Sequence, residues 1–229
     1  MSFYNGPKIV TDRLTVYLDA ANIRSYPGSG NNWYDLTGNG YTGTLNSASY
    51  GTGNGGYISV DGVSGYVSLG PVPNTGIYYV PVSWCVWVYA SSTAGNIMSM
   101  SSGNPQSSWN MPPIAATGQT FRGKIWSNNY LYSPTYSLNT WYYLTLVFDY
   151  ANLSQFFYVN GALQSFQNSI SYSSSGSSNY MFLGQANPGA DNTGMFTGRY
   201  GSFKVYTNKA LSPSEILQNY NSTRSRFGL

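Results

Sequence analysis

The chain has 229 residues, a net charge of +3, no histidine and a single cysteine. Its charged fraction is 7%, against about 25% in an ordinary soluble domain. These figures exclude histidine-based triads, zinc sites and intrachain disulfides, and they give little support to nucleic-acid binding.

In chain order, "MSFYNGPKIVTDRL" lacks the apolar core of a secretory signal, and no apolar run reaches the ~20 residues of a membrane helix. We therefore expect a protein made in a host cytoplasm, without membrane insertion. "RLTVYLDAAN" puts Leu14, Val16 and Leu18 on one face with the period of two that marks a strand. "WYDLTGNGYTGTL" (Trp33 to Leu45) follows, a glycine-rich loop with an acid in it. Asp35 can accept backbone N–H bonds as an Asx-turn while Gly38, Gly40 and Gly43 take positive φ. The alternative is one calcium ion held by Asp19, Asn22, Asp35 and Asn39, although such an ion wants six to eight oxygens. Trp33 is expected to pin this loop to the body.

"YISVDG" and "SGYVSLG", joined by "DGVSG", read as a hairpin. "VSWCVWVYA" is apolar on both faces, as a central strand should be, with Cys85 a packed thiol and Trp84 and Trp87 core residues. "NIMSMSS" and "TFRGKIWS" are further strands, and "TWYYLTLVFDY", with Trp141, is the second strongly apolar one. "QFFYVNGALQSF" carries Asn-Gly at 160–161 between two β-prone runs, a strong hairpin signature. "NYMFLGQAN" and "GRYGSFKVYTN" close the series. "SSTAGN", "SSGNPQSSWNMPP" and "SYSSSGSSNY" read as loops.

One helix is predicted in "ALSPSEILQNYN". Ser212 stands at the N-cap, Pro213 at the first helical position and Glu215 at the third, a capping box, with Leu211 and Ile216 at the staple positions. At least eleven short strands and one helix predict an all-β sandwich in a single domain over 1–229. Residues 1–12 form an N-terminal arm, and 212–229 the closing helix and tail. "MSFYNGPKI" and "STRSRFGL" are expected to dock on a partner.

Three blocks carry a family resemblance: "LTVYLDAANIRSYPGSGNNWYDLTGNGYTGTL", "NTWYYLTLVFDYANLSQFFYVNGALQSF" and "GRYGSFKVYTNKALSPSEILQNYNSTRSRFGL". Together they resemble the laminin G-like, concanavalin A-like fold. The wording "YLDAAN…SYPGSG…WYDLTGNG" is similar to laminin G-like domains in structural proteins of large tailed bacteriophages. The resemblance implies a two-sheet antiparallel jelly-roll sandwich, concanavalin A-like and often carbohydrate-binding, displayed on a virion surface, and relatives often hold a calcium ion at the sandwich rim.

The same sandwich also hosts glycoside hydrolases, which need two carboxylates about 5–9 Å apart. The seven acids, Asp12, Asp19, Asp35, Asp61, Asp149, Asp191 and Glu215, are widely separated, with no Glu-x-Asp or Asp-x-Asp pair. No enzymatic activity is expected. Sugars would meet aromatic plates beside amides and hydroxyls, which points to Trp109, Trp126, Tyr130 and Tyr132, with Tyr136 nearby. The leading expectation is a non-enzymatic virion structural protein, decorating the capsid or associated with the tail or its fibres. Its partners are other virion proteins, its assembly oligomeric and any glycan binding weak. The alternative is a dedicated lectin or adhesin that recognises host surface polysaccharide.

Overall fold

A computed structural model describes residues 7–72, 80–101, 110–125, 130–170, 180–185 and 194–229. The described strands are β1 (Leu14–Asp19), β2 (Asn32–Trp33), β3 (Gly43–Asn46), β4 (Ser49–Gly51), β5 (Tyr57–Asp61), β6 (Tyr66–Leu69), β7 (Val82–Ala90) and β8 (Gly95–Ser101). They continue with β9 (Asn110–Thr117), β10 (Thr120–Gly123), β11 (Leu131–Thr135), β12 (Trp141–Asp149), β13 (Ser154–Val159), β14 (Ala162–Gln167), β15 (Tyr180–Leu183) and β16 (Thr197–Thr207). Helix α1 (Pro213–Asn221) and a 3-10 turn (Arg224–Phe227) follow.

All the pairings between the described strands are antiparallel, and they build two sheets. Sheet A runs β14-β13-β12-β7-β16-β5-β4, with β1 also paired to β16; sheet B runs β11-β10-β9-β8-β15-β6-β3-β2. The predicted antiparallel sandwich with a C-terminal helix is the observed one.

Alternation within β7 explains why that strand is apolar on both sides. Trp84, Val86 and Val88 point into the core between the sheets, with Leu18, Val60, Leu144, Leu146, Phe157 and Phe203. Cys85 and Trp87 point the other way, into a second core beneath α1 and the 3-10 turn, with Tyr143, Tyr206, Ile216 and Phe227. The rings of Trp87 and Phe227 stack at 4.1 Å. Phe227 finds room because β16 bulges between Tyr200 and Ser202, at Gly201, where a Cβ would strike its ring.

Local chemistry sets the remaining landmarks. The β13–β14 turn places Asn160 at φ 52° and Gly161 at φ 80°, both left-handed, as a two-residue hairpin of this type requires. Ser212 caps α1 by accepting from the Glu215 amide, and the Glu215 carboxylate accepts from the Ser212 amide.

Two expectations are corrected. First, β5 and β6 do not form a hairpin: β5 pairs with β4 and β16 in sheet A, and β6 with β3 and β15 in sheet B. The intervening turn carries the chain across the sandwich, and Asp61 fastens it by accepting from the amides of Val63, Ser64 and Gly65. Second, the stretch 101–113 read as a loop runs into β9, and β11 falls where no strand was assigned. The described part of the N-terminal arm and the C-terminal tail pack on their own chain. The Val10 amide donates to Asn219 Oδ1, Tyr206 donates to the Val10 carbonyl, and Phe227 is buried.

Candidate functional site

The outer face of sheet B is the place to look for a site. Inward residues of its strands, such as Leu45, Val67, Leu69, Met181 and Leu183, fill the core. Their alternates therefore face out. The register aligns Thr44, Ser68, Phe182 and Ser99 across four adjacent strands, with Tyr66 one step along β6. Thr44, Tyr66, Ser68, Leu69, Gly70, Tyr180 and Phe182 line a groove of about 490 Å³. Tyr66 and Phe182 lean together with ring centroids 6.4 Å apart. Asn46, beside the groove, donates to Ser68 Oγ at 3.1 Å. The lining is aromatic and hydroxyl-bearing, without a charged side chain.

The sequence candidates fall differently. Trp109 and Trp126 lie outside the described residues. Tyr130 and Tyr132 lie together, ring centroids 6.1 Å apart, at the other end of the same face. Four strand spacings separate β11 from β15, roughly 19 Å. Tyr132 is 48% exposed. Tyr130 carries the Arg122 guanidinium 4.6 Å and the Lys124 ammonium 4.5 Å from its ring centre, and Lys124 also donates to its hydroxyl at 2.9 Å. Tyr136 is buried against Phe121, its hydroxyl donating to the Ser92 carbonyl. Burial raises that hydroxyl's pKa to about 12.

The groove residues escaped notice because no tryptophan or acid marks them. Their signal was present: in "YVSL" and "YMFL", hydroxyl-bearing or aromatic residues alternate with the aliphatic ones that face the core.

The glycine-rich loop is tied down by Asp35. Its Oδ1 accepts from the amides of Thr37 and Tyr17, and its Oδ2 from the Thr37 hydroxyl. That is the Asx-turn, extended to the neighbouring strand. Gly38 and Gly40 take φ of 86° and 82°. Gly43 does not: it lies in β3, where a Cβ would come within 3.0 Å of Val67 and 3.2 Å of Leu18, so close packing requires it.

Asp19 pairs with Arg226 at 2.6 Å and accepts from the Ala21 amide and the Tyr17 hydroxyl. Asn22 accepts from the Arg24 amide, and Asn39 donates to the Thr15 carbonyl. All four carboxylate oxygens of Asp19 and Asp35 thus have protein donors, and a guanidinium stands where a cation would approach Asp19. Among the described residues, no three His, Cys, Asp or Glu side chains gather as metal ligands.

Two acids do converge. Asp12 and Glu215 each approach the Lys209 ammonium at 2.8 Å. The hydrogen bond to Lys209 holds Asp12 below the usual carboxylate range. Burial raises Glu215, but Lys209 and the Ser212 cap outweigh it and the net shift is downward. Both remain ionised near neutrality. A glycosidase general acid needs the opposite shift. Neither carboxylate lines the groove.

Among the described residues, no helix is long and apolar enough to cross a membrane.

The family model described as "Concanavalin A-like lectin/glucanases superfamily" matches residues 61–217. No curated protein sequence matches. Among solved structures, the botulinum neurotoxin serotype G binding domain is similar with a TM-score of 0.67 at 16% identity, over 90% of this chain and 50% of that one. A Trypanosoma rangeli sialidase in complex with sialic acid gives 0.70 at 13% identity, over 95% of this chain and 34% of that one. Domain 4 of AbnA, an extracellular arabinanase from Geobacillus stearothermophilus in complex with arabinotriose, gives 0.61 at 17% identity, over 91% of this chain and 98% of that one. The chain thus spans half of the toxin domain and about a third of the sialidase, but nearly all of the arabinanase domain. At these identities the likeness is one of fold.

Proposed function

The chain belongs to the concanavalin A-like lectin/glucanase superfamily, and on that premise we propose that it is a non-catalytic glycan-binding module. The observation that carries the proposal is the uncharged groove on the outer face of sheet B. Tyr66 and Tyr180 offer half-exposed rings over the buried Phe182, and Thr44 and Ser68 offer hydroxyls. Sugars have apolar ring faces edged by hydroxyls, and amphipathic aromatics beside hydrogen-bonding groups match both features. A lining without ions fits neutral sugar units.

The readings from sequence change order: glycan binding comes first, and particle architecture becomes its setting. We place the module on a bacteriophage virion surface, at the capsid or on the tail or its fibres, contacting other virion proteins and host surface polysaccharide, with assembly as an oligomer. The "YLDAAN…WYDLTGNG" wording supports that setting. The absence of histidine and the engagement of Asp12 and Glu215 by Lys209 support a non-catalytic role.

The test is a binding screen of neutral oligosaccharides, arabinotriose included, with Tyr66→Ala and Tyr180→Ala as controls. Binding should weaken at least tenfold in each variant, about 1.4 kcal/mol. Equal binding by the variants would move the site elsewhere, and shortened oligosaccharide products would overturn the non-catalytic reading. Antibody labelling of assembled particles tests the setting.

A further inference from the structure

A second surface, on the opposite side of the sandwich, has another chemistry. Arg199 lies on β16 between Ser59 of β5 and Tyr89 of β7. Its neighbours Gly198 and Tyr200 are buried, so its side chain leaves the sheet outward. There the guanidinium is clamped between two rings, 4.6 Å from the centre of Tyr57 and 4.5 Å from that of Tyr89. Both rings lean on Trp141, with centroid separations of 6.4 and 5.4 Å, and Trp141 packs on Phe227 at 4.6 Å. Tyr57 lies over Gly51, where any Cβ would collide with its ring. The clamp is therefore built into the fold.

What the guanidinium lacks is an acceptor. No hydrogen bond or ion pair joins the Arg199 guanidinium to any described residue, its backbone alone being paired in the sheet. Every described acid is spoken for: Asp12 and Glu215 by Lys209, Asp19 by Arg226, Asp35 and Asp61 by backbone amides, and Asp149 by Ala151 and Asn152. Arg199 is half-buried, so the edges of its guanidinium remain open to solvent. A planar cation held between rings, its donors unfilled, is preorganised for a planar anion that takes two parallel N–H bonds.

We propose that Arg199, flanked by Tyr57, Tyr89 and Ser59, is a binding site for the carboxylate of an acidic sugar. The site stands apart from the neutral groove, which lies on the other sheet. Several features favour a sugar over an acidic peptide. The clamp holds one cation, which matches one carboxylate per saccharide unit rather than a run of acids. The Ser59 hydroxyl makes only a 3.5 Å contact to the Gly198 carbonyl, and the hydroxyls of Tyr57 and Tyr89 have no hydrogen-bond partner among the described residues. A sugar acid brings hydroxyls around its carboxylate that these groups can meet.

The carboxylate could come from a uronate within a polysaccharide or from a terminal sialic acid, and the experiment separates the two. Calorimetry would use the full chain with an unsulfated glucuronate-containing tetrasaccharide, with its carboxyl-reduced neutral form, and with sialyllactose. At least one carboxylated probe should bind, and the one that binds names the source. The carboxyl-reduced form, or lactose for a sialic acid site, should bind at least tenfold more weakly. Arg199→Gln should lose at least tenfold. Arg199→Lys, which keeps the charge but not the fork, should also lose, though less than the glutamine variant. Gly51→Ala should weaken binding by displacing Tyr57 while leaving the guanidinium in place. Tyr66→Ala should leave acidic-sugar binding unchanged, so a failure of the neutral groove and a failure of this site are told apart. Near-ultraviolet circular dichroism of each variant checks that it is folded. Equal binding of carboxylated and reduced probes, or full binding by folded Arg199→Gln, would overturn the proposal. So would binding of a sulfated probe together with neither carboxylated one, or of an acidic peptide in their place.

Discussion

The outer faces of the two sheets begin from the same alternating pattern and end differently. On sheet A the outward residues of the central strands are mostly large and apolar or aromatic, and the C-terminal segment covers them. On sheet B the outward residues of β3, β6 and β15 are small hydroxyls, the half-buried Tyr66 and Tyr180 and the buried Phe182, and they line an open groove. A sandwich needs only one buried face per sheet. The second face of sheet A was thus free to become structure, and that of sheet B free to become surface. The Arg199 clamp sits where the cover on sheet A ends, and it joins structural aromatics to an exposed guanidinium.

The strongest test of this contrast is Trp87→Ala. Removing a fully buried ring that stacks on Phe227 should destabilise the fold by about 3–5 kcal/mol, read by denaturant unfolding, while the remaining folded fraction still binds neutral glycan. A loss below 1 kcal/mol would mean that the cover is ornamental.

Next comes Lys204. It is fully buried under the same cover, its ammonium has no hydrogen-bond partner, and the Tyr17 ring centre lies 4.8 Å away. Burial lowers its pKa. A lysine whose pKa is depressed on folding costs stability at every pH below its unfolded value of about 10.4. Lys204→Met should therefore stabilise by roughly 1–3 kcal/mol at pH 7. The gain should shrink as pH rises toward 10 and level off below the folded pKa. A destabilised variant would show that the amine has a hidden partner.

On the open face, Tyr66→Ala should cost less than about 1 kcal/mol of stability, because the ring is half-exposed, while still impairing glycan binding. A large loss of stability would erase the distinction between the faces. The smallest expected effect is none. Adding a chelator should leave the melting temperature unchanged, because protein donors already occupy the oxygens of Asp19 and Asp35. A fall of several degrees would place calcium in the glycine-rich loop.

The legibility of these features in the sequence follows physical lines. β7, β12, the Asn160–Gly161 hairpin and the Ser212 cap announce themselves through period, turn chemistry and capping, all of which act within a few residues. β9 and β11 are disguised by proline. Pro134 sits in β11, an edge strand, where a missing N–H costs nothing. Pro112 and Pro113 fall where the β8–β9 register shifts between Met111 and Ile114, beyond the β9 residues paired to β10. The misread β5–β6 turn shows a different gap: "DGVSG" specifies a reversal but not which sheet receives the next strand. For the site, aromatics in loops drew attention, while the groove and the Arg199 clamp are made by cross-strand register, which joins residues more than a hundred positions apart.

The position of β16 bears on how the chain is made. This strand lies between β7 on one side and β1 and β5 on the other. A ribosome therefore releases the first 196 residues with the middle of sheet A still missing. Until the last thirty-odd residues emerge, β1, β5 and β7 are three open edges, which are adhesive surfaces in a crowded cell. Arg226 then closes the gap by gripping Asp19, Asn54, Gly56 and Gly201 at once. Nascent chains stalled before that point should be the ones that chaperones hold and proteases remove.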